Sequence, residues 1–215
     1  MFKNFNKNKY NSGVTLIELL VVISIFVIIS TTTIFSYGKF NSSLSLQNLS
    51  DDIALSVRKA QGYAIGVRGI SGSFSDSYGI HFTLSSANPL YKGSNKSFIL
   101  FADISGDNQY YQTSSTCGIP TSTNECLELL SITSADKIIG ISLNGDSINL
   151  STTDSIDLLF KRPNPEPTFC YRTGGSGSCS ATSISDVKIK IASDNSPATY
   201  KTIIISNNGQ ISVSN

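Results

Sequence analysis

Residues able to do chemistry are few in this chain, and their spacing is distinctive. Glu18 stands at the head of an apolar run, "GVTLIELLVVISIF" (13–26), and no further charge occurs before Lys39, leaving residues 19–38 as an uncharged stretch of 20. A carboxylate carried to the middle of a membrane costs about 2.5 kcal/mol or more, so an acid placed there needs a reason. The four cysteines fall as two close pairs, Cys117 with Cys126 and Cys170 with Cys179, both in loop-like text. Four thiolates suit zinc, but the short Cys-x₂₋₄-Cys spacings of structural zinc sites are absent. Four cysteines also allow three disulfide connectivities, and the sequence selects none of them. In "FADISGDNQYY", Asp103 and Asp107 flank a Ser-Gly turn, with Ser105 and Asn108 beside them. Such oxygens could ligate calcium, although the EF-hand spacing is missing; acidic residues are equally the ordinary furniture of hairpin turns. His81 is the only histidine and stands in strand-like text, so it reads as a half-buried strand residue and not as a member of a triad or metal cluster.

The elements around these residues define where they work. As a helix, the uncharged stretch covers about 30 Å, the thickness of a bilayer core. Lys3, Lys7 and Lys9 lie before Gly13 and no acid does, which orients the N-terminus to the cytoplasm and the C-terminal bulk outward. A cleaved secretory signal would end in a small-residue site, and the run ends in "ISTTTIF" instead. A lipoprotein signal would need a cysteine after the core, and the first is Cys117. A plain signal anchor fits the length but explains neither Glu18 nor Gly13. From Val14 onward 13 Lys and Arg face 15 Asp and Glu, so the body is not basic and lacks a broad electrostatic grip on nucleic acid. On the exported side disulfides are the better reading of the cysteines. Local pairing would close two loops of about 10 residues, each contributing roughly 2.5–3 kcal/mol.

The segment "SGVTLIELLVVISIF" resembles the prepilin signature of type IV pilins and type II secretion pseudopilins. In that family a membrane peptidase cuts after the glycine and methylates the new N-terminus. The resemblance therefore implies Gly13 as the residue before the cut, Val14 as the methylated first residue, where the family most often has phenylalanine, and Glu18 as the family's fifth-position glutamate. Cleavage would leave an ammonium on Val14. In a filament, Glu18 of one subunit would meet the ammonium of a neighbour, each removing the other's uncompensated charge. The resemblance implies this registry role; the spacing by itself only permits it.

Beyond the span, Leu46, Leu49, Ile53, Val57, Ala60, Ala64 and Val67 recur at spacings of three and four, one apolar face of a helix. Gly38 and "NSS" (41–43) interrupt between the halves and mark either a bend or simply the membrane boundary. From Gly69 the text changes to short alternating strands: "YGIHFTL", "SFILFAD", "LELLSI", "KIIGISL", "SIDLLFK", "DVKIKIA", "KTIIIS" and "GQISV". Asn208-Gly209 predicts a two-residue hairpin turn, and "KRPNPEP" (161–167) a stiff loop that either presents a contact surface or caps an edge strand. The expected fold is α+β, a pilin fold with the long helix laid across one antiparallel sheet. The segments are a leader (1–13), a membrane and filament-core helix (14–37), an amphipathic helix (38–68) and an exported β-domain (69–215). Its architecture resembles H-type pseudopilins and minor pilins.

The function this implies is a non-enzymatic structural subunit, minor by its architecture, of a pilus or secretion pseudopilus. It would sit in the inner membrane until assembly. Its partners would be prepilin peptidase, other subunits, the membrane, and an assembly platform with its ATPase. The alternative is a tip-displayed minor pilin that captures DNA or a surface ligand, which a patch among Arg58, Arg68, Lys161, Arg162, Lys188, Lys190 and Lys201 would favour. An anchored enzyme finds no nucleophile and base to work with. Apart from the calcium reading at Asp103 and Asp107, no cofactor is expected.

Overall fold

A computed structural model describes residues 13–66, 69, 77–86, 92–113, 116–164, 166–174, 178–180, 183–194 and 196–214. The leader lysines, Val67 and Arg68 lie outside the described residues. The chain divides into two units, Met1–Asn41 and Ser42–Asn215.

In the first unit the backbone turns helical at Leu16, the start of helix α1 (Leu16–Ile65). Its stretch Leu16–Ile34 has a mean hydropathy of 2.4 and no buried residue, and its 19 residues are long and apolar enough to cross a membrane. The hydroxyls in this stretch are turned back onto the helix. Ser24 donates to the Leu20 carbonyl and Thr31 to that of Val27 (both 2.8 Å), while Thr32 and Thr33 both donate to the Ile29 carbonyl (2.8 and 3.0 Å). Each of these donors would otherwise be bare in an apolar surrounding. The helix passes Gly38 and residues 41–43 without a break, and a Cβ added at Gly38 would meet nothing within 4 Å.

In the second unit the same helix acquires a face. Leu46, Leu49, Ile53, Val57, Ala60 and Ala64 are buried, while Asp51, Asp52 and Arg58 stay exposed. Among the described residues ten strands form two sheets. The first, in the order β3-β2-β1-β6-β7, contains β1 (Ser77–Thr83), β2 (Ser97–Asp103), β3 (Cys126–Ser131), β6 (Ser155–Phe160) and β7 (Pro167–Arg172). The second, in the order β10-β9-β8-β4-β5, contains β4 (Asp136–Leu143), β5 (Ile148–Asn149), β8 (Asp186–Ser193), β9 (Ser196–Ser206) and β10 (Ile211–Ser214). All pairings are antiparallel. One core joins the helix stripe to Tyr78, Ile80 and Phe82 of β1, Leu158 of β6, and Ile189 and Ile203 of the second sheet. This is the α+β, pilin-like arrangement, with two sheets where the sequence suggests one.

Three differences from the sequence reading have physical causes. First, β7 falls in text that reads as loop. It opens on Pro167 and runs into glycine and serine, which an edge strand tolerates because its outer N–H groups need no partner. Second, β1 and β2 are buried on both faces, because the face of their sheet away from the helix carries a second apolar cluster of Ile99, Phe101, Tyr110, Leu159 and two cysteines. Gly79 makes room for that cluster, since a Cβ there would lie 2.6 Å from the Leu158 carbonyl oxygen and 2.7 Å from the Phe101 ring. Third, the β9–β10 turn is not a two-residue one. Gly209 donates to the Ser206 carbonyl (2.9 Å) and takes φ +81°, whereas Asn208 does not take the positive φ that a type I′ turn requires.

Candidate functional site

The start of α1 is built by its own first residues. The Thr15 carbonyl accepts the first helical bond, from the Leu19 N–H (3.1 Å), and the Thr15 hydroxyl accepts from the Glu18 N–H (3.3 Å). Thr15 is therefore the N-cap and Glu18 the third helical residue, the Thr-x-x-Glu order of a capping box. The sequence reading passed over Thr15, although "TLIE" carried that signal. Glu18 lies in the first turn, where the helix macrodipole favours negative charge. An ammonium on Val14 would sit at the same positive end and be disfavoured by it. Val14 is 70% exposed, and a Cβ added at Gly13 would meet nothing within 4 Å. Among the described residues nothing crowds that position.

In the second unit the structure brings Asp103 and Asp107 together and adds Glu125, with one oxygen from each lying within 4.8 Å of the others. Glu125 is fully buried. Its Oε1 accepts from the N–H groups of Ile104 and Ser105 (both 3.1 Å) and the Ser105 hydroxyl (2.9 Å), and its Oε2 from the Tyr111 N–H (2.9 Å). Asp103 accepts from the N–H groups of Gly106 (2.7 Å) and Asn108 (3.1 Å). Burial pushes Glu125 up to about 7 and also raises Asp103; the N–H donors pull both the other way, and neighbouring carboxylates add to the rise. A hard cation could use such oxygens, but the loop's own donors already occupy those of Asp103 and Glu125. Glu125 escaped the sequence reading because a long loop separates it from the turn it organises, 20 residues from Ser105.

His81 is not half-buried but buried, and it has a partner the sequence did not reveal. It stands opposite Asp157 in the β1–β6 register, with Nδ1 2.5 Å from Asp157 Oδ1 and Nε2 3.1 Å from the Lys92 carbonyl oxygen. Asp157 Oδ2 accepts from Arg172 (2.9 Å) and from the Tyr110 N–H (3.0 Å). Burial pushes the Asp157 carboxyl up, but His81, Arg172 and the Tyr110 N–H outweigh it and hold it below the usual carboxylate range. With an acceptor at each ring nitrogen, His81 is engaged as a structural group and offers no free nitrogen to a nucleophile.

The disulfides are Cys117–Cys126 and Cys170–Cys179, with Cα separations of 4.8 and 5.0 Å. Cys126 and Cys170 belong to strands and not to loops as their sequence context suggests. The basic residues lie on different elements: Arg58 on α1, Lys161 and Arg162 at the β6–β7 connection, and Lys188, Lys190 and Lys201 on β8 and β9. Lys188 is taken up by Asp146 (2.6 Å), and Lys190 lies 3.8 Å from the centre of the Tyr200 ring.

A family model described as the prokaryotic N-terminal methylation motif matches residues 8–34. The match contains Gly13, Val14, Thr15, Glu18 and the exposed apolar stretch of α1, consistent with the type IV pilin and pseudopilin signature. No curated protein and no solved structure matches the chain.

Proposed function

We propose that this chain is the precursor of a filament subunit, a pilin or pseudopilin of the minor kind, that prepilin peptidase cuts after Gly13 and methylates on Val14. The observation that supports this reading is register: the segment matched by the methylation motif, 8–34, contains the glycine, the capped helix start, the acid at 18 and an apolar span in one continuous run. The mature chain would rest in the inner membrane by that span, with the β-domain outside. An assembly platform and its ATPase would then draw it into a pilus or a secretion pseudopilus beside other subunits. The second unit offers packing, two disulfides and buried carboxylates that accept hydrogen bonds, the equipment of a structural domain. Capture of DNA at a tip is the weaker reading, because the basic residues are dispersed and two of them are already engaged.

Glu18→Gln tests the proposal in a strain that supplies the full machinery. The leader should still be removed and the span still inserted, since the change keeps the shape and replaces a carboxylate with a cheaper amide. Incorporation into sheared filaments should collapse, because each Val14 ammonium would enter the filament core without its counter-charge, at about 3–5 kcal/mol per contact. Intact mass with residues 1–13 still present in the wild type would remove the precursor reading; incorporation of Glu18→Gln equal to wild type would remove the role of the acid.

A further inference from the structure

The sheet β3-β2-β1-β6-β7 has two edges, and each edge strand holds one cysteine of a disulfide: Cys126 in β3 and Cys170 in β7, both buried. Their partners, Cys117 and Cys179, sit half-buried in segments outside the sheet. Beside each bridge the linked segment donates a backbone N–H to a carbonyl of that edge strand. Gly118 donates to Cys126 (3.0 Å) and Ser180 to Tyr171 (3.1 Å). Each segment thus stands where a further strand would pair. An uncovered edge is a template for other chains, and proteins cover it or blunt it.

The geometry points to the two disulfides being edge locks, each holding one covering segment against one edge of this sheet, so that reduction uncovers both edges while the sheet's interior stays folded. Both bridges are local, joining residues 9 apart, and neither ties the helix to a sheet or one sheet to the other. The interior strands depend instead on the main core, through Tyr78, Ile80, Phe82 and Leu158, and on their own ladders. Each lock opens by thiol–disulfide exchange with a dithiol. Two electrons and two protons pass to the bridge, giving two thiols, and the dithiol closes to its own disulfide. The locks are independent of the filament reading, since they require only an exported, oxidising surrounding.

Amide hydrogen exchange on the full-length chain in detergent micelles, with and without dithiothreitol, tests this. After verified reduction, Gly118 and Ser180 should exchange about tenfold faster or more, while Ile80 and Leu158 keep their protection. In oxidised samples, the double variant Cys117→Ser, Cys126→Ala should free Gly118 alone, and Cys179→Ser, Cys170→Ala should free Ser180 alone. Unchanged exchange at both sites after reduction would overturn the proposal. So would equal acceleration at Ile80 and Leu158, because the bridges would then hold the whole domain. Failure of a double variant to fold leaves the reduction experiment on the wild type to decide.

Discussion

Two stretches of α1 both carry apolar residues and meet opposite surroundings. Between Leu16 and Ile34 none is buried; between Leu46 and Ala64 six lie in the core. The difference is angular. The first stretch is apolar all round, with Glu18 as its one charge, so no single sheet face could cover it. It needs an apolar medium or other helices on every side. The second sets Asp51, Asp52 and Arg58 opposite a stripe at spacings of three and four, which one protein core covers. A stripe on a polar helix needs one covering surface, whereas a helix apolar on every side needs covering all round.

The hardest test of that contrast is the same substitution in both stretches. Val57→Asp buries an unpaired carboxylate at a fully buried position, at a cost of several kcal/mol. The β-domain should lose cooperative unfolding while the chain remains in the membrane fraction. Val27→Asp should leave the β-domain's urea midpoint unchanged and weaken insertion by about 2.5–3.5 kcal/mol, read as loss from the membrane fraction. A Val57→Asp domain with the wild-type midpoint would mean that the stripe is not a core face.

The same lesson recurs inside the β-domain, between two fully buried carboxylates. Asp157 faces a histidine and an arginine, whereas Glu125 faces two other acids. Burial raises Glu125 from an ordinary 4.5 to about 7, so the folded protein binds a proton that the unfolded chain releases between those values. Its stabilising contribution is therefore complete below about pH 4.5 and is lost as pH rises through about 7, by up to about 3 kcal/mol. Asp157 works the other way. Its contribution is present above 3.8 and is lost only as pH falls below that. Urea unfolding at pH 5 and pH 8 should give the lower stability at pH 8. Glu125→Gln should be less stable at both and show a flatter slope between them. An equal slope in the variant would take the pH dependence away from Glu125.

What was legible in the sequence followed from local pattern. The stripe from Leu46 to Ala64 and the uncharged span are periodic or continuous along the chain; the structure buries the stripe as read, apart from Val67, which lies outside the described residues, and makes Leu16–Ile34 one exposed apolar helix. Asp157, Glu125 and Arg172 were illegible for the opposite reason. Each acquires its partner across a strand pairing or a loop, at sequence separations of 76 for His81 with Asp157 and 20 for Ser105 with Glu125. Polar positions in β1 such as His81 suggested a solvent face, because alternation marks two faces of a strand without saying what covers the second. Thr15 is the exception, a local signal that went unread beside the more conspicuous acid.

That threonine supplies the smallest expected effect and the finest form of the comparison. In the body, a residue of α1 is held by the core as well as by its helix. At the helix start Val14 and Leu16 are exposed, so the first turn depends on its cap alone. Thr15→Ala removes the hydroxyl that accepts from the Glu18 N–H and leaves the Leu19 bond, which uses the Thr15 carbonyl. The loss should be about 1 kcal/mol, the usual worth of such a cap. In micelles, the Glu18 amide should then exchange roughly fivefold faster, and Thr15→Ser should restore most of the protection because it keeps the oxygen. Exchange at Ile53 and Val57 should not change, since their protection comes from the core. Unchanged protection of Glu18 in Thr15→Ala would show that the first turn is held by something other than its cap, and the Thr-x-x-Glu order would then carry no structural weight.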